Sequence, residues 1–339
     1  MNEPTDLLHY ALAAYDMNAD SVAVESVMPR NFHGDAHYKI RIGELAYSAR
    51  FISGSRYEHD VFLPLTDAVL TEQMRFISFL NGHGIPFMRP VPTVSGEDYH
   101  KLVWNGAEYR FFLFEWIEGR HITRCTDSVA YKIGALVRRL HALAANYECA
   151  LPKISHREGS LTFLSMLEEA ASAAPAECRK LLHPYIADAQ RHIGQAHRST
   201  REYRMQSDLN PLNILWDDKE QCIGIVDFEH IGYTERIEGL AWLIKWYSRT
   251  AGLFSHHVSP ALAQSLLDGY RASDDLKPAD WERLPSLIWL TGCLNWGFVD
   301  KTRRIVKQSI SASQMKTELD AHLTKYTERG AKLGALLTL

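Results

Sequence analysis

The spacing of apolar and polar residues divides the chain into a strand-rich first third and a largely helical remainder. Apolar side chains recur every three or four positions over residues 5–18 and again over 66–82, which predicts two amphipathic helices. Runs of alternating or β-branched residues between and after these helices predict strands. The predicted strands are residues 22–27, 38–42, 46–52, 99–105 and 109–116, with Asn105-Gly106 as the turn of the last hairpin.

The pattern changes after Gly119, where helical spacing dominates and only the segment 203–233 interrupts it. The first long helix of this part is predicted for residues 127–146. These patterns indicate an α+β protein with two lobes. We predict a small N-terminal lobe at residues 1–115, a hinge at 116–120, and a larger, mostly helical C-terminal lobe at 121–339.

The composition argues against several classes of protein. The 339 residues are 46% hydrophobic and 23% charged, and the formal net charge is −4. Because no basic run or polybasic helix occurs, we expect neither a nucleic acid nor a membrane as partner. No apolar stretch approaches the roughly 20 residues that span a bilayer. The N-terminus lacks a signal-peptide pattern and the five cysteines are scattered, so we expect free thiols and a cytoplasmic protein.

Two short segments carry the candidate chemistry. In residues 206–215 Asp208 precedes Asn213 by five positions, and in residues 223–229 Asp227 ends an apolar run. Protein kinases use this spacing for a base and two magnesium ligands. We therefore predict that Asp208 accepts the proton of a substrate hydroxyl, and that Asn213 and Asp227 bind Mg²⁺ through hard oxygen atoms. The simpler interpretation is a polar loop followed by a β-hairpin.

A hairpin gives this spacing a structural reason. Residues 214–216 are predicted to leave the loop as a strand, 217–220 to turn, and 222–226 to return antiparallel. This path brings Asp227 back beside Asn213.

These residues resemble the aminoglycoside phosphotransferase and choline kinase-like family, which shares the protein kinase fold. The family pattern is His-Gly-Asp-x-x-x-x-Asn, followed by Asp-Phe or Asp-Trp and often by Glu. The matching residues are Asp208, Asn213, Asp227, Phe228 and Glu229. The chain departs at Gln206 and Ser207, where the family has His-Gly. Because Gln can still hydrogen-bond, we expect tuning rather than loss of activity. The resemblance implies a bilobal protein kinase-like fold with an antiparallel-sheet N-terminal lobe, and ATP and Mg²⁺ as cofactors.

The resemblance also implies roles for residues of the N-terminal part. Arg50, on the third strand, would hold the nucleotide phosphates, and Glu72, early in the following helix, would fix the Arg50 side chain. Backbone groups of Glu115, Trp116 and Ile117 would form hydrogen bonds with adenine.

Three further features are interpreted as structural. The loop 31–37, which would cover the phosphates, has a single glycine, and its His33, Asp35 and His37 fit a flexible loop better than a metal cluster. His141 ends a helix and is expected to be structural. Glu238 lies where the family has an Asp that braces the catalytic loop.

The substrate-binding residues are the least constrained by the sequence. Glu229, Glu235, Trp242 and Asp300 are candidates for a pocket that takes a cationic substrate, in which carboxylates and aromatic faces attract the charge. The alternative is that the tryptophans, spaced at helical intervals, belong to the core.

The resulting hypothesis is a Mg-ATP-dependent kinase of a hydroxyl on a small molecule. An amino-hydroxy antibiotic of the aminoglycoside or amicoumacin kind is the expected acceptor, which implies a role in antibiotic resistance. A metabolic alcohol such as homoserine, choline or methylthioribose is the alternative, and a nucleotide-binding pseudokinase is another. The sequence leaves the oligomeric state open.

Overall fold

The structure, a computed structural model, describes residues 3–17, 21–27, 35–54, 65–197, 202–253, 255–308 and 311–337. Its strands are β1 (Val22–Val27), β2 (Ala36–Ile42), β3 (Leu45–Ser53), β4 (His100–Trp104), β5 (Ala107–Glu115), β6 (Lys153–Ile154), β7 (Tyr203–Gln206), β8 (Ile214–Trp216), β9 (Cys222–Ile225) and β10 (Gly232–Glu235). Its α-helices are α1 (Glu3–Leu12), α2 (Asp67–Gly82), α3 (Asp127–Leu143), α4 (His156–Ala173), α5 (Ala176–Gln195), α6 (Arg236–Tyr247), α7 (Pro260–Tyr270), α8 (Ala272–Asp275), α9 (Pro278–Cys293), α10 (Trp296–Lys307) and α11 (Ala312–Gly334).

The chain folds into two compact units, each built from separate stretches of sequence. The first contains Met1–His121, Glu148–Leu151 and Asn213–Ile231, and the second contains Ile122–Tyr147, Pro152–Leu212 and Gly232–Leu339. The predicted lobe boundaries at 115 and 121 assign residues 213–231 to the larger lobe. By its contacts this segment packs with the N-terminal unit instead.

A five-stranded antiparallel sheet forms the first unit, with the strand order β1-β2-β3-β5-β4. The predicted antiparallel-sheet lobe is therefore confirmed. The Asn105-Gly106 turn has φ angles of 49° and 77°, which are the positive values that a two-residue hairpin requires. Helix α1 packs on the sheet with Leu8 and Leu12, against a core that includes Phe51 and Phe111.

The hairpin β8–β9 is fixed to the first unit at two places. Ile225 donates its backbone N–H to the carbonyl of Pro86 at 2.7 Å and accepts from the N–H of Met88 at 2.9 Å. Phe228, which is fully buried, packs against Phe112 and Phe114 of β5 at ring-centroid distances of 4.8 and 5.4 Å. These contacts hold the segment that carries Asp227.

Helices dominate the second unit, and its three-stranded sheet β6-β10-β7 carries the strand that leads to Asp208. Helices α3 and α7 approach closely because glycine occurs on both. A Cβ atom on Gly134 would overlap the carbonyl oxygen of Leu266, and one on Gly269 would overlap that of Tyr131. No helix in the described residues is long and apolar enough to cross a bilayer.

The close contact of α3 and α7 predicts opposite effects for two glycine substitutions. Gly134→Ala should lower the free energy of unfolding by about 1–3 kcal/mol, because the added methyl forces two backbones apart. Gly194→Ala is the matched control: Gly194 lies in α5, nothing lies within 4 Å of an added Cβ, and the change should stabilise by about 0.5–1 kcal/mol. Denaturant unfolding measures both, and equal effects would contradict the packing.

Candidate active site

Asp208 lies in a loop directly after β7, and its carboxylate is held from two sides. Trp242 Nε1 of helix α6 donates a hydrogen bond to Oδ1 at 2.8 Å, and Asn210 Nδ2 donates to Oδ2 at 2.9 Å. The same loop is fixed by Tyr247, whose hydroxyl donates to the carbonyl of Leu209 at 2.9 Å. Trp242, predicted to contact substrate or to belong to the core, contacts the candidate base. The carboxylate is half-buried.

The loop also rests on a buried hydrogen-bonded series behind it. Gln206 Oε1 lies 2.7 Å from His141 Nε2, and His141 Nδ1 lies 3.0 Å from the hydroxyl of Tyr270. Because the amide oxygen only accepts, Nε2 carries the proton and Tyr270 donates to Nδ1. Burial lowers the pKa of His141 to about 4, which keeps the ring neutral.

The substitution of Gln for the family His is therefore accommodated. Gln206 is 6% exposed and packs against helix α6, where an added Cβ on Gly239 would lie 2.6 Å from the Gln206 amide. The expected support of the loop is present, and His141 has the structural role that the sequence predicted. Because residue 239 is a glycine, the Gln206 amide can occupy the space that a side chain at this position would fill.

The candidate metal ligands lie at the open ends of the β8–β9 hairpin. Val226 donates its N–H to the carbonyl of Asn213 at 2.8 Å, so the hairpin brings Asn213 beside Asp227 as predicted from the sequence. Asp227 has φ of 71°, a left-handed conformation that costs a non-glycine residue about 1–2 kcal/mol. The contacts of Phe228 and of the following residues keep Asp227 in this conformation.

Arg50 of β3 is the centre of a buried ion cluster in the first unit. Its guanidinium contacts Asp35 at 3.2 Å, Asp227 at 3.6 Å, and Glu229. Burial acts to lower the pKa of Arg50, but Glu229 and the two aspartates outweigh that effect and raise it. The cluster thus ties β2 and β3 to the segment that follows β9.

The cluster has one cation against three carboxylates, and only the Asp227 side chain, 30% exposed, is open to solvent. Such an excess of buried negative charge suits a divalent cation. The described residues contain no group of three or more His, Cys, Asp or Glu side chains that could hold a metal by itself. An amide oxygen and a carboxylate fit Mg²⁺ bound jointly with phosphates, since Mg²⁺ usually takes few protein ligands.

Glu72 and Arg50 are not brought together in the described residues. Glu72 forms an ion pair with Arg75 on its own helix at 2.6 Å, while Arg50 has the three other carboxylates as partners. The predicted brace therefore comes from Glu229, Asp35 and Asp227. These carboxylates reach the guanidinium from the residue before β2 and from the segment that follows β9.

Gln73, the next residue of α2, makes contacts that were not predicted from the sequence. It is fully buried, and its Nε2 donates to the carbonyls of Glu229 and Ile231 at 3.0 Å each. The available signal was a polar residue on the apolar face of the helix, four positions after Val69 and four before Ile77. Helix α2 thereby positions the backbone that follows Asp227.

Of the three backbone N–H groups in the predicted adenine-binding segment, two donate hydrogen bonds within the fold. The N–H of Glu115 donates to the carbonyl of Arg89, and that of Trp116 donates to the carbonyl of Ala46, both at 3.0 Å. These two N–H groups are therefore used within the fold, and adenine binding by the backbone of Glu115, Trp116 and Ile117 stays a prediction. Ile117 remains the candidate, and its side chain packs so closely on Gly224 that an added Cβ there would lie 2.8 Å from Ile117 Cδ1.

The carboxylates predicted for a cationic substrate each have an arginine partner. Glu229 pairs with Arg50. Glu235 is 1% exposed, caps helix α6 and pairs with the buried Arg283 at 2.9 Å. Asp300 pairs with Arg304 at 2.7 Å. Glu235 therefore has a structural role rather than a role in binding substrate, because both of its oxygens are engaged and shielded from solvent.

Glu238 is also structural, as predicted. It is fully buried and accepts hydrogen bonds from the hydroxyl of Ser155 at 2.8 Å and from the N–H of Arg157 at 3.4 Å. Of the loop predicted to cover the phosphates, residues 31–34, His33 among them, lie outside the described residues. His37 lies 2.6 Å from the Ser48 hydroxyl, and burial lowers its pKa to about 4.

Comparisons with known proteins agree with this arrangement. The sequence model described as the phosphotransferase enzyme family matches residues 55–286, more than half of the chain. The search of curated proteins found no match.

Several solved structures share the fold. The amicoumacin kinase hAmiN, in complex with AMP-PNP, Ca²⁺ and Ami, has a TM-score of 0.69 at 17% identity and covers 97% of this chain and 93% of its own. A microcompartment-associated aminopropanol kinase has a TM-score of 0.60 at 15% identity, covering 98% and 97%. An aminoglycoside phosphotransferase from Alicyclobacillus acidocaldarius has a TM-score of 0.61 at 14% identity, covering 97% and 95%. At these identities the likeness confirms the predicted protein kinase-like fold.

The contacts of Gln73 predict that it matters more than Glu72 for the segment after Asp227. Gln73→Met keeps the size of the side chain but leaves two buried carbonyls without their donor, and should cost about 1–3 kcal/mol of unfolding free energy. Hydrogen exchange at residues 227–231 should accelerate with it. Glu72→Gln, the control, removes an ion pair whose partner Arg75 has a side chain that is 60% exposed, and should change stability by less than about 1 kcal/mol. A Gln73→Met protein with wild-type stability and exchange would contradict this role.

Proposed function

This chain belongs to the phosphotransferase enzyme family, and we propose that it transfers the γ-phosphoryl group of Mg-ATP to a hydroxyl group of a small molecule. The observation that carries the proposal is the fixed carboxylate of Asp208. It accepts hydrogen bonds from Trp242 and Asn210, and it lies in a loop that Tyr247 also holds through the carbonyl of Leu209. A carboxylate held in this way is prepared to receive a proton.

In the proposed reaction Asp208 orients the acceptor hydroxyl and takes its proton as the oxygen attacks the γ-phosphorus. The bond from this phosphorus to the β,γ-bridging oxygen breaks, and ADP leaves with the bonding electrons. Trp242 and Asn210 together fix the direction of the carboxylate, because each donates to one of its two oxygen atoms.

Asn213 and Asp227 are the residues that would hold the metal. When bound, Mg²⁺ neutralises charge on the β- and γ-phosphates. Arg50 contributes by holding Asp227 in position through the buried ion cluster, and the backbone N–H of Ile117 is left to bind the adenine ring. Asn213 follows Asp208 by five residues in the chain, which is the spacing that this chemistry uses in protein kinases.

The acceptor belongs, in our proposal, to the amino-hydroxy compounds. The names of the similar structures contain amicoumacin, aminopropanol and aminoglycoside, which span antibiotics and a small amino alcohol. Resistance to an antibiotic and phosphorylation of a metabolite are the two branches of this proposal. A pseudokinase is less well supported, because Gln206 is buried and bonded where the family His would support the loop.

The role of Asp208 predicts a selective loss of activity. With an acceptor identified by screening amino-hydroxy antibiotics and small alcohols for ADP release, Asp208→Asn should lower kcat by about 10²–10⁴-fold, because the amide cannot take the proton. ADP release measured in a coupled assay checks this. Asp218→Asn, at an exposed position of the β8–β9 turn, is the matched control and should retain wild-type activity. Equal rates for the two variants would show that Asp208 is not the base.

A further inference from the structure

Lys245, on the same helix as Trp242, is buried and has no anionic partner within the part of the chain that the structure describes. Its side chain is 4% exposed, and its Nζ lies 3.2 Å from the ring centroid of Trp242 and 4.2 Å from that of Trp246. Among the described residues it forms neither an ion pair nor a side-chain hydrogen bond. Buried lysines are rarely left in this condition, because an uncompensated charge in the interior is costly.

Arg249, four residues further along the chain and just beyond the end of α6, repeats the pattern. It is 7% exposed, its guanidinium lies 4.5 Å from the ring centroid of Trp246, and within the described residues it has no carboxylate or hydrogen-bond partner. Two neighbouring buried atoms, Trp246 Nε1 and His256 Nδ1, also lack partners there. By contrast, the buried Arg283 of the same unit is paired with Glu235.

The surroundings of Lys245 and Arg249 disfavour the positive charge on both side chains. Burial, followed by the nearby Arg329, lowers the pKa of Arg249 to about 10, although Tyr326 acts in the opposite direction. Burial also lowers the pKa of Lys245 well below its usual value, with Arg249 and Arg329 adding to the effect and Asp208 and Cys293 opposing it. Three cations and a histidine thus share one region with few opposing charges.

The cluster begins beside the candidate base. Trp242 donates to Asp208 through its N–H, and the face of the same ring contacts Lys245. Trp246 then separates Lys245 from Arg249 and contacts both cations. Positive charge therefore extends along one side of helix α6, starting one side chain away from Asp208.

We propose that the acceptor carries an anionic group, a carboxylate or a phosphate ester, which Lys245 and Arg249 bind while the acceptor hydroxyl faces Asp208. This inference rests on the proposed function and narrows its substrate class. Charge-assisted hydrogen bonds from the two cations would supply the missing partners. The tryptophan faces would pack against the carbon chain that joins the anionic group to the hydroxyl. The acceptor would accordingly be an amino-hydroxy compound that also carries a carboxylate or a phosphate ester.

Matched pairs of acceptors test this directly. L-homoserine is compared with L-homoserine amide, and glycerol 2-phosphate with glycerol, which separates a carboxylate from a phosphate ester as the preferred anion. The wild-type protein should prefer the anionic member of at least one pair. In Lys245→Met and Arg249→Met the KM for that acceptor should rise by about 10- to 100-fold, with the KM for ATP unchanged and little effect on the neutral member. Lys180→Met, at an exposed ion pair, is the control and should match the wild type.

Two results would overturn the inference. One is equal kcat/KM for the anionic and neutral members of both pairs. The other is a rise in the KM for ATP, rather than for the acceptor, in the Lys245 and Arg249 variants, which would assign the cations to the nucleotide.

A binding measurement separates this inference from the proposed function. Quenching of tryptophan fluorescence by the same four compounds, without ATP, reports binding near Trp242 and Trp246. Tighter binding of an anionic member, lost in Lys245→Met, supports the anion site even if no phosphate is transferred, in which case the proposed function fails alone. Binding without preference for charge overturns the anion site.

Thermal unfolding excludes a trivial loss of fold. Lys245→Met removes a buried amino group that has no anionic partner within the described residues, so its Tm should equal or exceed that of the wild type. If Lys245→Met both lowers the Tm and loses the preference for the anionic acceptor, Lys245→Arg is measured as well. This variant keeps the positive group and should restore part of the preference. Failure of Lys245→Arg to restore any preference would count against the anion site.

Discussion

The buried ion cluster around Arg50 is the interaction on which the position of Asp227, a candidate metal ligand, depends. One guanidinium meets carboxylates from the start of β2 and from two positions after β9. A buried charge is tolerated only when it is paired, so these segments are held at the positions that the pairing requires. The cluster keeps an excess of negative charge at Asp227, the residue whose backbone is in a left-handed conformation. A divalent cation is the natural complement of that excess.

The second unit holds the carboxylate of Asp208 in a different way. Neutral donors, the indole of Trp242 and the amide of Asn210, hold this carboxylate, so its direction is fixed without pairing it to a cation. The positive charge lies one side chain further away, on Lys245 and Arg249. An ion pair at Asp208 would weaken it as a proton acceptor, whereas cations at a distance can bind the substrate and leave the base available.

Much of this organisation could be predicted from the sequence, because it rests on local patterns. The period of the apolar residues indicated the strands and helices of the first unit, and the turn residues indicated the hairpins. The spacing of Asp208, Asn213 and Asp227 reflects a loop followed by a hairpin, and the N–H of Val226 indeed bonds to Asn213. Contacts between distant segments could not be predicted in this way. Gln73 contacts residues more than 150 positions away, and the partners of Arg50 depend on how three segments pack.

Substrate recognition was the least predictable part for the same reason. Sequence reasoning assigned Glu229, Glu235 and Asp300 to a cationic substrate. Tertiary packing supplies an arginine for Glu229 and Glu235, and the next turn of the same helix supplies one for Asp300. Lys245 and Arg249, whose side chains have no anionic partner within the described residues, were not recognised, because a lysine and an arginine four positions apart are typical of an exposed surface. Only their burial among the tryptophans marks them as a candidate site.

Phosphorus NMR tests the central claim most directly. The protein is incubated with ATP, Mg²⁺ and a pooled set of amino alcohols, hydroxy acids and amino-hydroxy antibiotics, and the spectrum is followed with time. The account predicts loss of the γ-phosphate signal and growth of an equal phosphomonoester signal, both abolished by EDTA. Release of inorganic phosphate alone, or an unchanged ATP spectrum with every acceptor, would contradict it.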